Sequence, residues 1–359
     1  TMKILHLIYD HINNPWVGGG GAVRCYELNK RLVKMGHKVT VLTGYYPNAQ
    51  NYREGDLEFY FVGSGKSYTL SVFSYTYEAI KFLKKYGKNF DLIVEDFAPW
   101  NPVFSFLFHN KLVLQVHQKE GVEIIKRYNL AGLPFYLIEK FYPKIFKNII
   151  AVSEISLKKF RIKGVVIPNG IDENIIQENV LLGDYIGFIG RIDIYHKGLD
   201  IMLQAIKDID VKLKIAGKGK DEKKLKEMIR FHNLDQKVEF LGFLYGEDKI
   251  KFIKNSLFMI MPSRYEAQGI VALESAAVGK PVIVSNIPEL SYVTENGFGL
   301  SFQKESYTDL RDKIIYLLKR PELILQLGKN GINYAKKLTW DNLSYQYEKY
   351  LTDLIRDDK

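Results

Sequence analysis

The sequence predicts an α/β protein built from two domains, each a doubly wound parallel sheet. Three features of the chain support this prediction. Its 359 residues exceed the usual size of one hydrophobic core. Apolar runs alternate with segments of helical period, and the runs are mostly continuous, as is typical of parallel strands covered on both faces. The alternation restarts in the second half of the chain, which indicates a second domain.

The first domain is predicted from a series of apolar runs. Between the first two runs, apolar residues recur at helical spacing and Gly36 follows as a stop signal, so we expect a crossover helix and a first βαβ unit. The helical positions are Cys25, Leu28, Leu32 and Met35. The predicted strands are 3–9, 38–42, 57–62, 91–95, 112–116 and 148–152.

The second domain is predicted from a further series of strands and helices. A polar stretch at 162–184, with Pro168, Asn169 and Gly170, interrupts the pattern and marks the boundary. At the other end, residues 340–355 have apolar side chains near helical spacing, so we expect a closing amphipathic helix. The predicted strands are 185–190, 211–216, 237–241, 257–261 and 281–284, and the predicted helices lie around 199–209, 223–231 and 269–278.

Charge and cysteine content limit the classes of function. Residues 1–172 carry 23 Lys and Arg against 14 Asp and Glu, a net charge of +9, whereas the rest of the chain is close to neutral. This basic excess indicates either an anionic partner, such as a phospholipid surface, a polyprenyl-phosphate lipid or nucleic acid, or simply a lysine-rich surface. The single cysteine, Cys25, excludes an intrachain disulfide and a cysteine-built zinc site, and we expect it to be buried.

The chain has no apolar run of the length of a membrane helix. The longest near-apolar run, 97–108, is interrupted by Pro99, Asn101 and Pro102 and is shorter than the roughly 18 residues that a span requires. The first residues enter a strand-like pattern without the design of a signal peptide, so we expect an intracellular, cytoplasmic protein.

A run of glycines at 18–21 separates the first predicted strand from the first predicted helix. Glycines let backbone amides approach a ligand, and a helix N-terminus presents unpaired N–H groups, so the run indicates a phosphate or diphosphate site; a flexible loop explains it equally well. Arg24 lies in the first turn of this helix, where the helix dipole disfavours a cation. A bound anion or exposure to solvent would relieve that conflict.

Two cations of the second domain are placed for contact with an anion. Arg191 follows Gly190 at the carboxyl end of a predicted strand, where ligands bind in open α/β sheets, and Lys197 precedes a predicted helix. An arginine offers a planar fork and a lysine a point charge, so together they suit a diphosphate. Taken alone, each is typical of a solvated surface charge.

Two carboxylates, Glu266 and Glu274, follow in the same domain. Eight positions at about 100° per residue leave them about 80° apart on one helix, so they do not form a stripe. We expect Glu266 in a loop and Glu274 in the second turn of the next helix, where carboxylates can accept hydrogen bonds from sugar or ribose hydroxyls. His117 ends a predicted strand of the first domain and is either a substrate contact or a structural histidine.

Taken together, ordered blocks of this sequence resemble the retaining glycosyltransferases of family 4, the group 1 glycosyltransferases with the GT-B fold. The blocks lie at 20–24, 36–42, 166–172, 190–198, 216–219 and 266–283, so the resemblance covers nearly the whole chain. It implies two Rossmann-like domains facing across a cleft. These are an acceptor-binding domain at 1–165 and a nucleotide-sugar donor-binding domain at 166–338, with a last helix in 339–359 packing back on the first domain.

The resemblance also implies roles for individual residues. Arg191 and Lys197 would bind the donor diphosphate and stabilise the departing nucleoside diphosphate, in place of a metal ion. Glu274 would hold the ribose hydroxyls, and Glu266 the hydroxyls of the transferred sugar. His117 would lie against that sugar near the reaction centre, so the implied catalytic residues are His117, Arg191, Lys197 and Glu266. The remaining implied donor contacts are Gly20, Gly21, Ala267, Gln268, Gly269 and Ile270.

Two regions bear on specificity. Gln268 stands where many family members have phenylalanine, so a hydrogen bond from this side chain would affect the identity of the donor sugar. Residues 119–147 are basic and aromatic, with apolar residues at helix-like spacing. We favour a place in the core for these apolar residues, and the alternative is a lipid-facing surface. The positions are Phe135, Ile138, Phe141 or Tyr142, and Ile145.

The predicted activity is the transfer, with retention, of a hexose-type sugar from a nucleoside-diphosphate sugar, UDP- rather than GDP-, to a glycan, glycolipid or lipid-linked acceptor. We expect no metal ion, no cofactor beyond the nucleotide sugar and no nucleic-acid partner. Contact of the basic first domain with an anionic membrane is an open alternative. The rival functions are a non-hydrolysing sugar-nucleotide epimerase or phosphorylase of the same fold, and a basic module that binds membrane or nucleic acid.

Overall fold

The structure, a computed structural model, describes residues 1–17, 19–266 and 268–356. It divides into two compact units, each with its own sheet. Unit 1 comprises Thr1–Gly170 together with the helix that begins at Trp340, and unit 2 comprises Ile171–Thr339. The change of unit therefore falls at residues 170 and 171, whereas the sequence analysis divides the chain between 165 and 166.

Unit 1 is built on a mostly parallel sheet. Its strands are β1 (Lys3–Leu7), β2 (Lys38–Gly44), β3 (Tyr52–Glu54), β4 (Leu57–Val62), β5 (Leu92–Asp96), β6 (Leu112–Val116), β7 (Ile149–Ala151) and β8 (Val165–Val166). In the described residues their order is β3-β4-β2-β1-β5-β6-β7-β8, with β3 antiparallel to β4 and the other neighbours parallel. The direction of strand addition reverses between β1 and β5, and ligands bind in the crevice at such a point.

The helices of unit 1 are α1 (Gly20–Lys34), α2 (Tyr68–Tyr86), α3 (Glu123–Tyr128), α4 (Leu133–Phe141) and α5 (Glu154–Phe160). The central strands are fully buried at Ile4 and Ile93, as their continuous apolar sequence predicts. On α1, Leu28 and Leu32 have no exposed surface, and the predicted burial of Cys25 is confirmed.

Unit 2 has a fully parallel sheet. Its strands are β9 (Ile186–Ile189), β10 (Leu213–Ala216), β11 (Val238–Gly242), β12 (Phe258–Met261), β13 (Val282–Ser285) and β14 (Gly299–Phe302). Within the described part of the unit, their order is β11-β10-β9-β12-β13-β14. This is the strand order of a Rossmann-like domain, and its reversal lies between β9 and β12.

The helices of unit 2 are α6 (Ile194–Lys197), α7 (Leu199–Ile206), α8 (Glu222–Phe231), α9 (Gly246–Lys254), α10 (Ile270–Ala277), α11 (Tyr292–Glu295), α12 (Tyr307–Leu318) and α13 (Pro321–Lys337). One core cluster includes Phe188, Phe258 and Leu310, and a second includes Met259 and Phe298. Their side chains are buried, so the sheet of unit 2 supports the loops at its edges rigidly.

The predicted closing helix is present as α14 (Trp340–Arg356) and belongs to unit 1. Tyr347 of α14 is fully buried. Arg31 Nε of α1 donates to Asp341 Oδ1 (2.5 Å), and His37 Nε2 lies 3.0 Å from Glu348 Oε1. None of the helices in the described ranges has both the length and the apolar character to cross a membrane.

Candidate active site

The polar residues of unit 2 gather at one edge of its sheet. Gly190 and Arg191 directly follow β9, and the loop that begins at Pro262 directly follows β12, so both lie where the strand order reverses. Parallel strands bring their carboxyl ends to the same edge, and at a reversal the two following loops diverge and leave a crevice. The structure therefore brings these two segments, which are distant in the sequence, to the same edge of the sheet.

Lys197 is held against the loop that follows β12. The short helix α6 ends at Gly198, which has a left-handed backbone (φ 67°). A β-carbon on Gly198 would lie 1.9 Å from the Pro262 carbonyl oxygen, so the close approach requires glycine. Lys197 Nζ donates to Glu266 Oε2 (2.8 Å), which also accepts from Ser263 Oγ (3.0 Å). The structure thus joins two of the predicted catalytic side chains.

Arg191 stands exposed at the end of β9. Its guanidinium makes no hydrogen bond or ion pair with any other residue that the structure describes. Lys197, by contrast, is committed to Glu266. An anion that reaches this edge therefore meets one cation without a partner and one that is shared with a carboxylate.

Glu274 lies in the second turn of α10 and is paired with a lysine of its own. Lys249 Nζ of α9 is 2.9 Å from Glu274 Oε1 and 2.7 Å from Oε2. Burial raises the pKa of Glu274, and the neighbouring ammonium opposes the shift. Glu266 lies in the loop before α10 and pairs with Lys197. Each of the two carboxylates is therefore paired with its own lysine.

The other predicted donor contacts lie at the start of α10. The Tyr292 hydroxyl is 3.0 Å from the carbonyl oxygens of both Gln268 and Gly269, which fixes the backbone of this turn. Ile270, the first residue of α10, is exposed to 46%. Ala267, also predicted as a contact, lies outside the described residues.

Arg264 anchors the same loop, and the sequence analysis gave it no role. Its guanidinium bonds both oxygens of Asp200 (2.9 Å each), and its Nε donates to Glu305 (2.7 Å). The hydrogen bonds to Asp200 and Glu305 raise the pKa of Arg264 against the effect of burial. Arg264 therefore ties the loop to α7 and leaves the edge to Lys197 and Glu266. Only the contacts that form in the folded chain show that Arg264 is paired with carboxylates and that Arg191, among the described residues, is not.

In unit 1, the predicted contacts Gly20 and Gly21 form the start of α1. Gly19 caps this helix without a side-chain hydrogen bond. A β-carbon on Gly21 would lie 3.6 Å from Asp10 Oδ2 and 3.8 Å from His117 Cε1, whereas the same point on Gly20 has no neighbour within 4 Å. Gly21, Asp10 and His117 therefore border one small space. The sequence analysis predicted Gly21 and His117 here and missed Asp10.

His117 is tied to a buried polar network. Its Nε2 bonds Asp96 Oδ1 (2.5 Å), and Asp96 also bonds His6 Nε2 and accepts from Gln115 Nε2 (3.0 and 3.2 Å). Burial alone would raise the pKa of Asp96, but the hydrogen bonds from His117 and His6 outweigh it and lower the pKa. An ionised Asp96 only accepts hydrogen bonds, so Nε2 of His117 carries a proton and donates it to Asp96.

Arg24 has surroundings that the sequence analysis did not predict. The sequence analysis gives exposure to solvent as one way to relieve the unfavourable interaction of Arg24 with the helix dipole. That alternative is wrong, because Arg24 has no exposed surface. Its guanidinium instead donates to Gln115 Oε1 (3.1 Å), Pro168 O (2.8 Å) and Asn169 Oδ1 (3.2 Å). Oxygen acceptors within unit 1 therefore stabilise this cation and fix the segment that leads out of the unit.

The positive charge described at the edge of unit 2 comes from side chains. Within 1–17, 19–266 and 268–356, no group of three or more His, Cys, Asp or Glu residues is arranged to hold a metal ion. Among the cations described here, Lys197 and Lys249 are paired with Glu266 and Glu274, Arg264 is paired with Asp200 and Glu305, and Arg191 is exposed.

Two family models divide the chain between them. The model described as Glycosyltransferase Family 4 matches residues 18–175, and the model described as Glycosyl transferases group 1 matches residues 173–334. The chain belongs to the group 1 glycosyltransferases. It is therefore a glycosyltransferase enzyme, as the sequence predicts.

Known proteins resemble this group 1 glycosyltransferase over its whole length. An uncharacterized glycosyltransferase of Methanocaldococcus jannaschii, MJ1178, is 28% identical over 98% of this chain and 99% of its own. The structure of sucrose-phosphate synthase from Thermosynechococcus elongatus matches with a TM-score of 0.81 at 19% identity, over 99% of this chain and 100% of that one. HepE of Anabaena, solved with UDP and glucose, matches with a TM-score of 0.72 at 18% identity, over 98% and 100%. The predicted GT-B fold is confirmed.

Proposed function

We propose that this glycosyltransferase moves a hexose-type sugar from a nucleoside-diphosphate sugar to a hydroxyl of a glycan, glycolipid or lipid-linked acceptor, with retention at the anomeric carbon. The observation that carries the proposal is the ion pair of Lys197 with Glu266 at the edge where the Arg191 side chain has no partner among the described residues. Two cations suit the diphosphate of a donor, and a carboxylate suits the hydroxyls of its sugar.

The proposed role of the cations is to stabilise the leaving group. When the bond from the anomeric carbon to the diphosphate oxygen breaks, its electron pair stays on the diphosphate and negative charge increases there. Arg191 and Lys197 present fixed positive charge to this oxygen, which stabilises the transition state more than the ground state. Lys197 would contact both the diphosphate and Glu266. Because the two side chains supply the positive charge, the proposal includes no metal ion.

The remaining donor contacts follow from the same placement. Glu274 would bind the ribose hydroxyls, and Glu266 with the backbone of 267–270 would bind the transferred sugar. Gln268 would add a contact that bears on sugar identity. Retention would follow from attack on the face from which the diphosphate leaves, so we assign no nucleophilic side chain. The UDP and glucose held by HepE support a UDP-sugar as the donor.

A thermal-shift panel of UDP, GDP, ADP and their sugars tests the donor site, because a ligand of the folded chain raises Tm. We expect the UDP-sugars to stabilise the chain, and Arg191→Ala, Lys197→Ala and Glu274→Ala to lose most of that shift. Lys226→Ala is a matched control, since Lys226 forms an exposed pair with Glu222 on α8 (2.9 Å). A wild-type chain stabilised by none of these nucleotides contradicts the proposal.

Membership of the family excludes the rival of a binding module without activity and favours transfer over epimerisation or phosphorolysis. Incubation with the stabilising nucleotide sugar and no acceptor separates the reactions, because an epimerase converts its substrate alone whereas a transferase gives at most slow hydrolysis. A separate incubation of a glycan with inorganic phosphate tests the phosphorylase, because phosphorolysis breaks a glycosidic bond and releases a sugar phosphate. Formation of a second nucleotide sugar, or of a sugar phosphate, would replace transfer as the proposed reaction.

An exposed stripe on α4 and the residues after it supports a lipid-linked acceptor. The sequence analysis favours the core for this region, and the structure divides it, because Tyr142 is buried while Phe141 and Ile145 are exposed to 53% and 55%. The α4 stripe consists of Leu133, Leu137, Phe141 and Ile145, all exposed and each four residues from the next. Lys140 and Lys144 lie 5.4 and 5.9 Å from the centre of the Phe141 ring. We assign the α4 stripe to an anionic membrane surface.

Co-sedimentation with vesicles tests this assignment. We expect the chain to bind vesicles of phosphatidylcholine with phosphatidylglycerol more strongly than vesicles of phosphatidylcholine alone, and Phe141→Ser to weaken binding about tenfold. Phe231→Ser is the control, because Phe231 is also exposed (82%) but lies on α8 of unit 2. Equal loss in both variants, or no preference for anionic vesicles, contradicts membrane contact. The cytoplasmic location stays a prediction.

A further inference from the structure

Glu274 is the only charged residue of α10, whose other residues are apolar or small. Its Oε1 accepts a hydrogen bond from Lys249 Nζ (2.9 Å), whereas Oε2 lies 2.7 Å from the same ammonium without the geometry of a hydrogen bond. Oε2 is also shielded from solvent and has no hydrogen-bond partner among the described residues. Burying a carboxylate oxygen without a hydrogen bond is costly, and a hydroxyl of a ligand would satisfy it.

Lys249 occupies an unfavourable place in its own helix. It is the fourth residue of α9, near the end where the helix dipole disfavours a cation. Its ammonium reaches across to α10, and the Lys249 and Glu274 side chains keep 26% and 19% of their surface exposed. Both helices begin at the carboxyl edge of the sheet of unit 2. The pair therefore lies at the edge that also carries Arg191 and Lys197.

The packing of α9 on α10 does not require this ion pair. Phe252 of α9 belongs to one buried apolar cluster with Ala272 and Ala276 of α10, so apolar contacts already join the two helices. A partly buried ion pair gains little beyond the cost of removing its charges from water, and apolar side chains in its place are often as stable or more so. The charges of Lys249 and Glu274 therefore suit a ligand better than they suit helix packing.

The 2′ and 3′ hydroxyls of a ribose suit a carboxylate held in this way. An ionised carboxylate only accepts hydrogen bonds, and its two oxygens offer about four lone-pair sites. The ammonium of Lys249 uses part of them, and its positive charge favours the ionised form of the half-buried Glu274. Two adjacent hydroxyls can then donate one hydrogen bond to each oxygen. A carboxyl group that is protonated or turned away would lose one of these acceptors.

We propose that Lys249 is a positioning residue, which fixes the carboxylate of Glu274 so that both of its oxygens accept from the ribose of the donor. The site thereby selects ribonucleotides over 2′-deoxy and 3′-deoxy nucleotides. This inference rests on the proposed function, which assigns the ribose hydroxyls to Glu274. Lys249 contacts neither the ribose nor the diphosphate. Its loss therefore acts through the two hydroxyls alone.

Comparison of the ribose and deoxyribose forms of one nucleotide tests Lys249. Titration calorimetry gives Kd for the nucleoside diphosphate with the largest thermal shift, UDP in our proposal, and for its 2′-deoxy and 3′-deoxy forms. The wild type should bind the ribose form about tenfold more tightly than either deoxy form, because a missing hydroxyl leaves a charged acceptor unsatisfied. Lys249→Met should weaken the ribose form about tenfold and the deoxy forms about threefold or less, so the preference falls to about threefold or less.

Three further variants show whether Lys249 acts through Glu274. Lys249→Arg should restore part of the preference, because a guanidinium can also bond both oxygens of a carboxylate. Glu274→Gln should lose the preference as Lys249→Met does, and the double variant should lose no more than either single variant, since the two residues act as a unit. Lys251→Met is the matched control and should keep the wild-type preference, because Lys251 is an exposed lysine of the same helix.

The outcomes separate the inference from the proposed function. A wild type that binds no nucleotide contradicts the donor site and the inference with it. If the nucleotide binds but the wild type shows no preference, or Lys249→Met keeps the preference, then the inference alone is overturned. Equal weakening of all three nucleotides in Lys249→Met also overturns it, because Lys249 would then act on the fold or the diphosphate. The preference compares ligands on one chain, so a lower Tm of a variant does not imitate its loss.

Discussion

At the scale of single residues, the space in front of Gly21 gives a direct test of the site in unit 1. An alanine there would make ordinary contacts with Asp10 (3.6 Å) and His117 (3.8 Å), so the fold tolerates it. The new methyl group would stand against the His117 ring, which the family resemblance places near the transferred sugar. We therefore expect Gly21→Ala to keep its Tm and to lose activity by about tenfold to 100-fold.

Gly19→Ala is the control for this prediction, because a β-carbon on Gly19 meets no atom within 4 Å. Rates of donor hydrolysis and melting curves of both variants provide the measurement. Equal activity in the two variants would show that the space in front of Gly21 is not used.

The residues that the sequence could predict are those that directly follow a strand or precede a helix. Arg191, Lys197 and Glu266 are of this kind, since the carboxyl edge of a parallel sheet is a known place for ligands. Asp10 also follows a strand, but only the folded chain shows that its carboxylate has no hydrogen-bond partner among the described residues. Likewise, nothing local shows that Arg24 turns inward to oxygen acceptors that are far from it in sequence.

At the scale of secondary-structure elements, buried strands were the most predictable. Their continuous apolar sequence indicates a sheet covered on both faces. The sequence analysis missed β3 and β8, which have three and two residues and are too short to establish a period. It also missed β14 and the long α2, whose exposed Phe73 and Tyr77 obscure the apolar face. These elements depend on tertiary contacts more than on local pattern.

The junction of α6 and α7 gives the prediction at this scale. Gly198 combines a left-handed backbone (φ 67°) with a contact in which a β-carbon would lie 1.9 Å from the Pro262 carbonyl oxygen. Gly198→Ala must push α6 away from the loop after β12 and separate Lys197 from Glu266. We expect the free energy of unfolding to fall by about 2 kcal/mol or more and donor binding to weaken.

Gly55→Ala isolates the cost of backbone strain from that of the clash, because Gly55 has a similar φ of 64° and open space at its β-carbon. Its cost should be about 1 kcal/mol without an effect on the donor. Urea denaturation and thermal shifts with nucleotide measure both effects. If the two variants lose equal stability and bind the donor equally, then Gly198 does not position Lys197.

At the scale of the whole molecule, unit 1 depends on a segment that is remote in sequence. The chain leaves unit 1 at Gly170 and returns to it at Trp340. Helix α14 then contributes large buried side chains to unit 1, which are Trp340, Leu343, Tyr347 and Leu351. Arg31 and His37 bond its acidic residues Asp341 and Glu348. The end of the chain is therefore part of the core of unit 1.

Removal of α14 should accordingly unfold unit 1 while unit 2 stays folded. Burying a large apolar side chain contributes about 1.5–3 kcal/mol, so four of them approach the total stability of a typical domain. After deletion of 340–359, we expect hydrogen exchange to show lost protection in β1, β5 and α1 and retained protection in β9 and β12. Tyr347→Phe should have little effect, since the Tyr347 hydroxyl is buried without a hydrogen-bond partner among the described residues. Protection that persists throughout unit 1 after the deletion would show that its core closes without α14.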